Sequence, residues 1–174
     1  TVTEGALGGW SLTSLVCSAG SVDLAGRTAS VTLAAGDAVT CTFTNTKDAT
    51  LTIVKDANPN DAQDFSFTTT GTGPAGFTAG FLEDDDADGT LPSTRTFTFS
   101  SSQLGPKTVT EGALSGWTLT NLVCTSGSVD IANRTASVTI AAGSAVTCTF
   151  TNTKDATLTI VKDANPNDAQ DFSF

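Results

Sequence analysis

The chain has 174 residues, a net charge of −10 and no histidine. The lack of histidine excludes Ser-His-Asp and Cys-His nucleophilic sites and His-ligated metal centres. The eight lysines and arginines stand apart from one another in the sequence, so they form no basic patch for nucleic acid. No apolar run approaches the ~20 residues of a membrane-spanning helix. Abundant Thr, Val and Phe between Gly- and Asp-rich turns are typical of an all-β protein.

An internal repeat organises the sequence. Residues 1–67 recur as residues 108–174, an offset of 107, with few and mild differences. Such self-similarity indicates a duplicated unit within a longer array. We place one complete β-sandwich repeat at residues 47–153. Residues 1–46 are then the C-terminal part of a preceding repeat, and residues 154–174 are the opening strands of a following one.

Alternation of apolar and polar residues predicts about eight short strands in the complete unit. They span residues 50–55, 65–70, 76–82, 94–100, 107–111, 117–124, 135–140 and 145–152. Turn sequences such as NPND, DDDADG and TSGS separate the strands. This spacing predicts an antiparallel Ig-like (prealbumin-like) β-sandwich, repeated in tandem, and favours it over a closed barrel.

Three polar side chains fall on the apolar faces of the predicted strands. Lys55 shares a face with Ile53, Glu111 shares one with Val109, and Asn152 lies on the apolar face of the last strand. Because an isolated buried charge is costly, these groups either lie solvated at strand ends or contact one another. In contact they have the chemistry for an isopeptide bond, with a desolvated lysine as nucleophile, an uncharged carboxylic acid as proton carrier and an amide as electrophile.

The strand sequences TLTIVKD, TVTEG and CTFTNT resemble the repeats of bacterial surface proteins with a prealbumin-like, Cna-B-type (SpaA-like) fold. The resemblance covers the complete unit and implies an isopeptide bond between its first and last strands. Those roles fall on Lys55, Glu111 and Asn152. In the flanking pieces the equivalent residues are Glu4, Asn45 and Lys162, whose partners lie outside this segment of chain.

The cysteines show the same repetition. Cys17 and Cys41 are 24 positions apart, and so are Cys124 and Cys148. An even number at a repeated spacing, without CxxC, predicts one disulfide per unit, and the alternative is buried free thiols. Disulfides in small acidic repeats indicate an extracellular or cell-surface location, because the cytosol keeps thiols reduced.

An acidic turn is a candidate calcium loop. Its sequence DDDADG fits the D-x-D-x-D-G opening of such loops, with oxygens from Asp84, Asp86 and Asp88. Arg95 occupies loop position 12, where an EF-hand has a bidentate carboxylate. A weak calcium site and a solvated turn therefore stand as alternatives, and we expect no required cofactor.

These features predict a structural module of a bacterial extracellular fibre, filament or surface stalk. Its partners are expected to be neighbouring copies of the same repeat, joined head to tail within a chain or by strand complementation between subunits. The alternative is an adhesin or ligand-binding module that uses loop 71–93. We expect no enzyme activity beyond a single-turnover, autocatalytic formation of the isopeptide bond.

Overall fold

The computed structural model describes residues 1–85, 89–167 and 169–174. The first repeat copy contributes β1 (Val2–Thr3), β2 (Trp10–Cys17), β3 (Ser21–Asp23), β4 (Thr28–Ser30) and β5 (Cys41–Lys47). The complete unit contains β6 (Ala49–Asn58), β7 (Phe65–Thr70), α1 (Ala75–Thr78), β8 (Phe81–Glu83), β9 (Thr94–Phe99), a 3-10 helix (Ser101–Gln103), β10 (Gly105–Glu111), β11 (Trp117–Cys124), β12 (Ser128–Asp130), β13 (Thr135–Ile140) and β14 (Ala145–Lys154).

Two sheets form the sandwich of the complete unit. One has the strand order β12-β13-β10-β7-β8 and the other has the order β11-β14-β6-β9. The predicted all-β antiparallel sandwich is confirmed. Within the described residues the strand pairs are antiparallel except for β6 and β14, which run parallel. Their pairing extends from Thr50 beside Ala145 to Asn58 beside Thr153. The first and last strands of the unit are therefore direct neighbours.

Residue alternation explains the core. In β6, Leu51 and Ile53 point inward and are fully buried, while Thr52 on the other face bonds its hydroxyl to that of Thr96. Phe67 packs edge-on against Phe150, with 5.1 Å between ring centroids. Each large apolar side chain buried in this way contributes about 2 kcal/mol. Polar groups among these side chains must find their partners inside the protein.

The predicted strand 76–82 is wrong in its first half, which forms α1 before β8 begins. Pro74 sets the helical turn, and its carbonyl accepts a hydrogen bond from Phe77 N–H at 2.9 Å. The Phe77 ring is fully buried against Phe97 and Phe99, so the turn closes one end of the core. Within the described residues no helix has both the length and the apolar character needed to cross a membrane.

Residues 2–47 repeat the strand pairing of the later half of the complete unit. β2 pairs with β5 from Trp10 opposite Lys47 to Cys17 opposite Cys41. The copies β11 and β14 pair in the same register. The chain then passes from β5 into β6 with a single residue, Asp48, between them.

Candidate functional site

Lys55, Glu111 and Asn152 meet inside the sandwich. Lys55 Nζ donates a hydrogen bond to Asn152 Oδ1 at 2.9 Å, and Asn152 Nδ2 donates one to Glu111 Oε2 at 3.0 Å. Lys55 Nζ lies 3.8 Å from Glu111 Oε1. All three residues are buried, so they are not the solvated strand ends that the sequence left open as an alternative.

The parallel pairing of β6 and β14 produces this contact. It places Phe150 beside Lys55 and Asn152 beside Ala57, so the lysine side chain extends along its strand to reach the asparagine. Lys55 Nζ also donates to the backbone carbonyls of Phe150 and Asp56, at 3.1 and 3.0 Å. These contacts hold the amine against the Asn152 amide.

Burial moves both titrating groups toward their uncharged forms. Desolvation lowers the pKa of Lys55, and the nearby Glu111 carboxylate offsets part of this effect. Desolvation likewise raises the pKa of Glu111, against the opposing effects of the Asn152 hydrogen bond and the Lys55 charge. Both shifts are in the direction of a neutral amine and a neutral carboxylic acid, the forms that amide formation uses.

An aromatic ring covers the amine. Lys55 Nζ lies 4.0 Å from the centroid of the Phe65 ring, which packs edge-on against Trp117. The rings exclude water from the amine and strengthen the desolvation that lowers its pKa. Sequence reasoning missed Phe65, although strand alternation places it on the inward face of β7.

The family model of the prealbumin-like fold domain matches residues 1–47 and 51–154. The chain belongs to this family. No curated protein is significantly similar to it in sequence. The resemblance to SpaA-like repeats is thereby confirmed at the level of the family and the fold.

Several solved structures are similar to the prealbumin-like domain. A pilus-presented adhesin is 18% identical over 66% of this chain and 30% of its own, with a TM-score of 0.43. The major pilin protein (T-13) from Streptococcus pyogenes is 19% identical over 65% and 48%, with a TM-score of 0.38. Another major pilin from Streptococcus pyogenes is 20% identical over 66% and 50%, with a TM-score of 0.34. The chain spans half or less of the length of these three.

The first copy of the prealbumin-like domain holds the same site without its lysine. Asn45 Nδ2 donates to Glu4 Oε1 at 2.5 Å, which reproduces the Asn152–Glu111 contact. Arg27 donates to the other oxygen of Glu4 at 3.0 Å. The later strands therefore set the Glu–Asn pair by themselves. Lys162 is exposed and lies over the Phe172 ring at 4.1 Å, as Lys55 lies over Phe65. The structure does not join Lys162 to Glu4 and Asn45.

Both predicted cysteine pairs are disulfide-bonded, and all four cysteines are used. Cys17–Cys41 joins β2 to β5, and Cys124–Cys148 joins β11 to β14. Cys148 lies in the core of the prealbumin-like domain, on the strand that carries Asn152. The disulfide therefore anchors one side of β14 while β6 pairs with the other.

The predicted calcium loop lies largely outside the described residues, which omit Asp86 and Asp88. Asp84 is buried, and its Oδ2 accepts a hydrogen bond from Thr90 Oγ1 at 3.3 Å. No group of three acidic or cysteine residues suited to a metal occurs in the part of the chain that the structure describes. Calcium binding by this loop stays a prediction.

A second buried carboxyl, Glu83, was not predicted. It is fully buried, and its Oε1 lies 3.4 Å from Arg95 Nε. Desolvation raises its pKa to about 8, although Arg95 and Lys55 both oppose the shift. Phe81 and Glu83 share a face of β8, so alternation would have placed Glu83 inward had the predicted strand extended past residue 82.

We expect Glu83 to make folding stability depend on pH. Its pKa in the folded protein lies above its value of 4.5 in the absence of burial, so its contribution is complete below about pH 4.5 and is lost as pH rises toward about 8. Between these pH values the free energy of unfolding falls by at most about 1.4 kcal/mol per pH unit. Urea unfolding of wild type and Glu83→Gln between these pH values measures it. A difference in unfolding free energy that stays constant with pH contradicts this assignment.

Proposed function

We propose that this protein is a structural module of a bacterial extracellular fibre, filament or stalk, stabilised by an isopeptide bond between Lys55 and Asn152. The observation that carries the proposal is the buried contact of 2.9 Å between Lys55 Nζ and the Asn152 side chain, with Glu111 alongside. Membership of the prealbumin-like family and the two disulfides support an extracellular structural role.

The proposed reaction balances without any added reagent. The neutral Lys55 amine attacks the Asn152 side-chain carbonyl carbon, and a new C–N bond forms to Nζ. Glu111 accepts a proton from Nζ and delivers a proton to Nδ2, to which its Oε2 is already hydrogen-bonded. The bond from the carbonyl carbon to Nδ2 then breaks, ammonia leaves and Glu111 returns to its starting state. The reaction occurs once per site, so no turnover is expected.

Two features of the site suit this reaction. Glu111 Oε1 is buried and accepts no hydrogen bond among the described residues. Such an orphan acceptor is costly, and the N–H of the new amide would supply its missing donor. A surface pocket lined by Leu114, Trp117 and Asn152, among other residues, opens beside the amide and offers ammonia a way out.

Bond formation would protect the unit against force. The chain enters the sandwich through β6 and leaves it through β14, which run side by side in the same direction. Tension on the chain therefore shears these strands past one another. A covalent link from Lys55 to Asn152 would carry the load directly, and the residues between them would bear none. Strand exchange and proteolysis would be resisted for the same reason.

The same chemistry would extend to neighbouring units. Residues 156–174 are identical to residues 49–67, so Lys162 would fill the site of a following unit. Glu4 and Asn45 would likewise receive the first-strand lysine of their own unit. We favour neighbouring repeats of one chain as these partners, and strand complementation between subunits is the alternative.

Single-molecule stretching tests the mechanical role. In wild type the segment between Lys55 and Asn152, 97 positions apart, is expected to stay folded at forces that extend the rest of the chain. In Lys55→Met the same segment, less the 24 positions that the Cys124–Cys148 disulfide keeps closed, should release an additional contour length of about 250 Å. Equal extension of both proteins would refute load bearing by the bond.

The alternative, ligand binding by loop 71–93, rests on the exposed part of that loop. Phe77, Glu83 and Asp84 are buried, so these three residues face the protein interior rather than a ligand. No observation on the described residues favours this alternative over the structural role.

A further inference from the structure

The passage from the first repeat copy into the complete unit is unusually short. β5 ends at Lys47 and β6 begins at Ala49, so Asp48 is the whole connection. A flexible linker between domains needs several residues free of contacts. The contacts of this connection therefore decide whether the two units move independently.

The preceding unit holds Asp48 through both its backbone and its side chain. Asp48 N–H donates to Gly9 carbonyl at 2.9 Å. Ser11 Oγ donates to Asp48 Oδ1 at 3.1 Å. Because Gly9 and Ser11 lie at the start of β2, these bonds fix the connecting residue to the sheet that it has just left.

The following unit holds the other side of the connection. Gly143 N–H donates to the carbonyl of Lys47 at 3.1 Å, and Thr50 N–H donates to the carbonyl of Ser144 at 2.9 Å. Gly143 has a φ of 69°, and a Cβ there would lie 3.3 Å from Lys47 Cδ. The turn before β14 therefore packs directly on the end of β5.

The second copy repeats the two hydrogen bonds that hold Asp48 to the start of β2. Asp155 N–H donates to Gly116 carbonyl at 2.8 Å, and Thr118 Oγ1 donates to Asp155 Oδ1 at 2.8 Å. Thr118 stands where the first copy has Ser11, so the hydroxyl is retained although the residue type differs. The contact is thus a feature of the unit and not of one sequence position.

We infer that these contacts form a rigid joint, a docking surface on each unit whose partner is the adjacent unit of the same chain. The joint comprises residues 9–11, 47–48 and 143–144. This inference rests on the proposed tandem arrangement, and it adds that the connection between consecutive units is stiff. Consecutive units keep one fixed orientation, so an array is a stiff rod rather than a string of independently tumbling domains. Tension then passes from β5 into β6 without first straightening a hinge.

Residual dipolar couplings of the full 174-residue chain test the joint. A single alignment tensor is expected to fit the backbone couplings of residues 2–47 and 49–153 together. Insertion of Gly-Ser-Gly after Asp48 should require two tensors. The matched control is the same insertion after Asp155, which should leave the single tensor of residues 2–153 intact.

Two separate tensors in the wild-type chain, or fast independent motion of residues 2–47 in ¹⁵N relaxation, would overturn the rigid joint. A single tensor in the Asp48 insertion variant would show that this connection does not set the orientation, and it would also overturn the inference. Failure of the isopeptide proposal is recognised separately, because the mass of the chain reports the bond whatever the orientation of the units.

Discussion

Replacing Lys55 with methionine is expected to lower the free energy of unfolding of the complete unit by about 4–5 kcal/mol. The bond would close a loop between residues 97 positions apart, and the chain-entropy model assigns this much to a loop of that size. Methionine fills similar space without a charge, so the expected loss comes from the missing cross-link rather than from a cavity. Thermal or urea unfolding followed by tryptophan fluorescence measures the loss, since Trp117 packs beside the site.

Stability and mass together separate the two possible states of the site. If no bond forms, Lys55→Met still removes one partner of a buried pair and leaves Glu111 and the Asn152 side-chain oxygen without the lysine, which also destabilises the unit. A variant as stable as wild type, or more stable, would contradict the cross-link, and a less stable variant supports it only where the wild-type mass shows the bond. Glu111→Gln is the matched control because it keeps Lys55 and Asn152 and removes only the proton carrier. We expect it to lose the bond and to unfold more easily than wild type.

Replacing Cys124 and Cys148 together with alanine is expected to destabilise the complete unit by roughly 3 kcal/mol. The disulfide closes a loop between positions 24 apart and joins neighbouring strands of the sheet that carries the site. Cys148 is fully buried, so its truncation also leaves a small cavity, which adds to the loss. Urea unfolding of the double variant and of wild type gives the difference.

The first copy supplies the control for this disulfide. Cys17 and Cys41 have the same separation, but their bond joins β2 to β5, outside the complete unit. Their double alanine variant should leave the unfolding of residues 49–153 nearly unchanged. A Cys124–Cys148 variant that unfolds at the same urea concentration as wild type would show that the disulfide adds nothing to this sandwich.

Strand alternation predicted three of the polar residues that face the core. It placed Lys55, Glu111 and Asn152 on inward faces, because the two-residue period of a strand is a local property. It could not give their distances from one another, because these depend on the parallel pairing of β6 with β14 across almost the whole unit. The resemblance to a family supplied that connection.

Two other features were not predicted from the sequence, the burial of Lys107 and the strand β12. Lys107 shares a face with Val109 and Glu111, and alternation would have placed it inward. It is buried, and Nζ donates to the carbonyls of Leu104, Gly105 and Pro106. The three-residue strand β12 is too short for a periodic pattern. The hydrogen-bond partners of Lys107 and the existence of β12 depend on tertiary packing, which a single sequence does not contain.

The intact mass of the denatured, fully reduced chain tests the central claim most directly. We predict a wild-type mass lower than the sequence mass by one ammonia, with Lys55 and Asn152 recovered as one cross-linked peptide after proteolysis. Glu111→Gln should have the full mass of its own sequence. A wild-type chain at full mass, with both peptides recovered separately, would contradict the isopeptide bond and leave the sandwich stabilised by its disulfides and core alone.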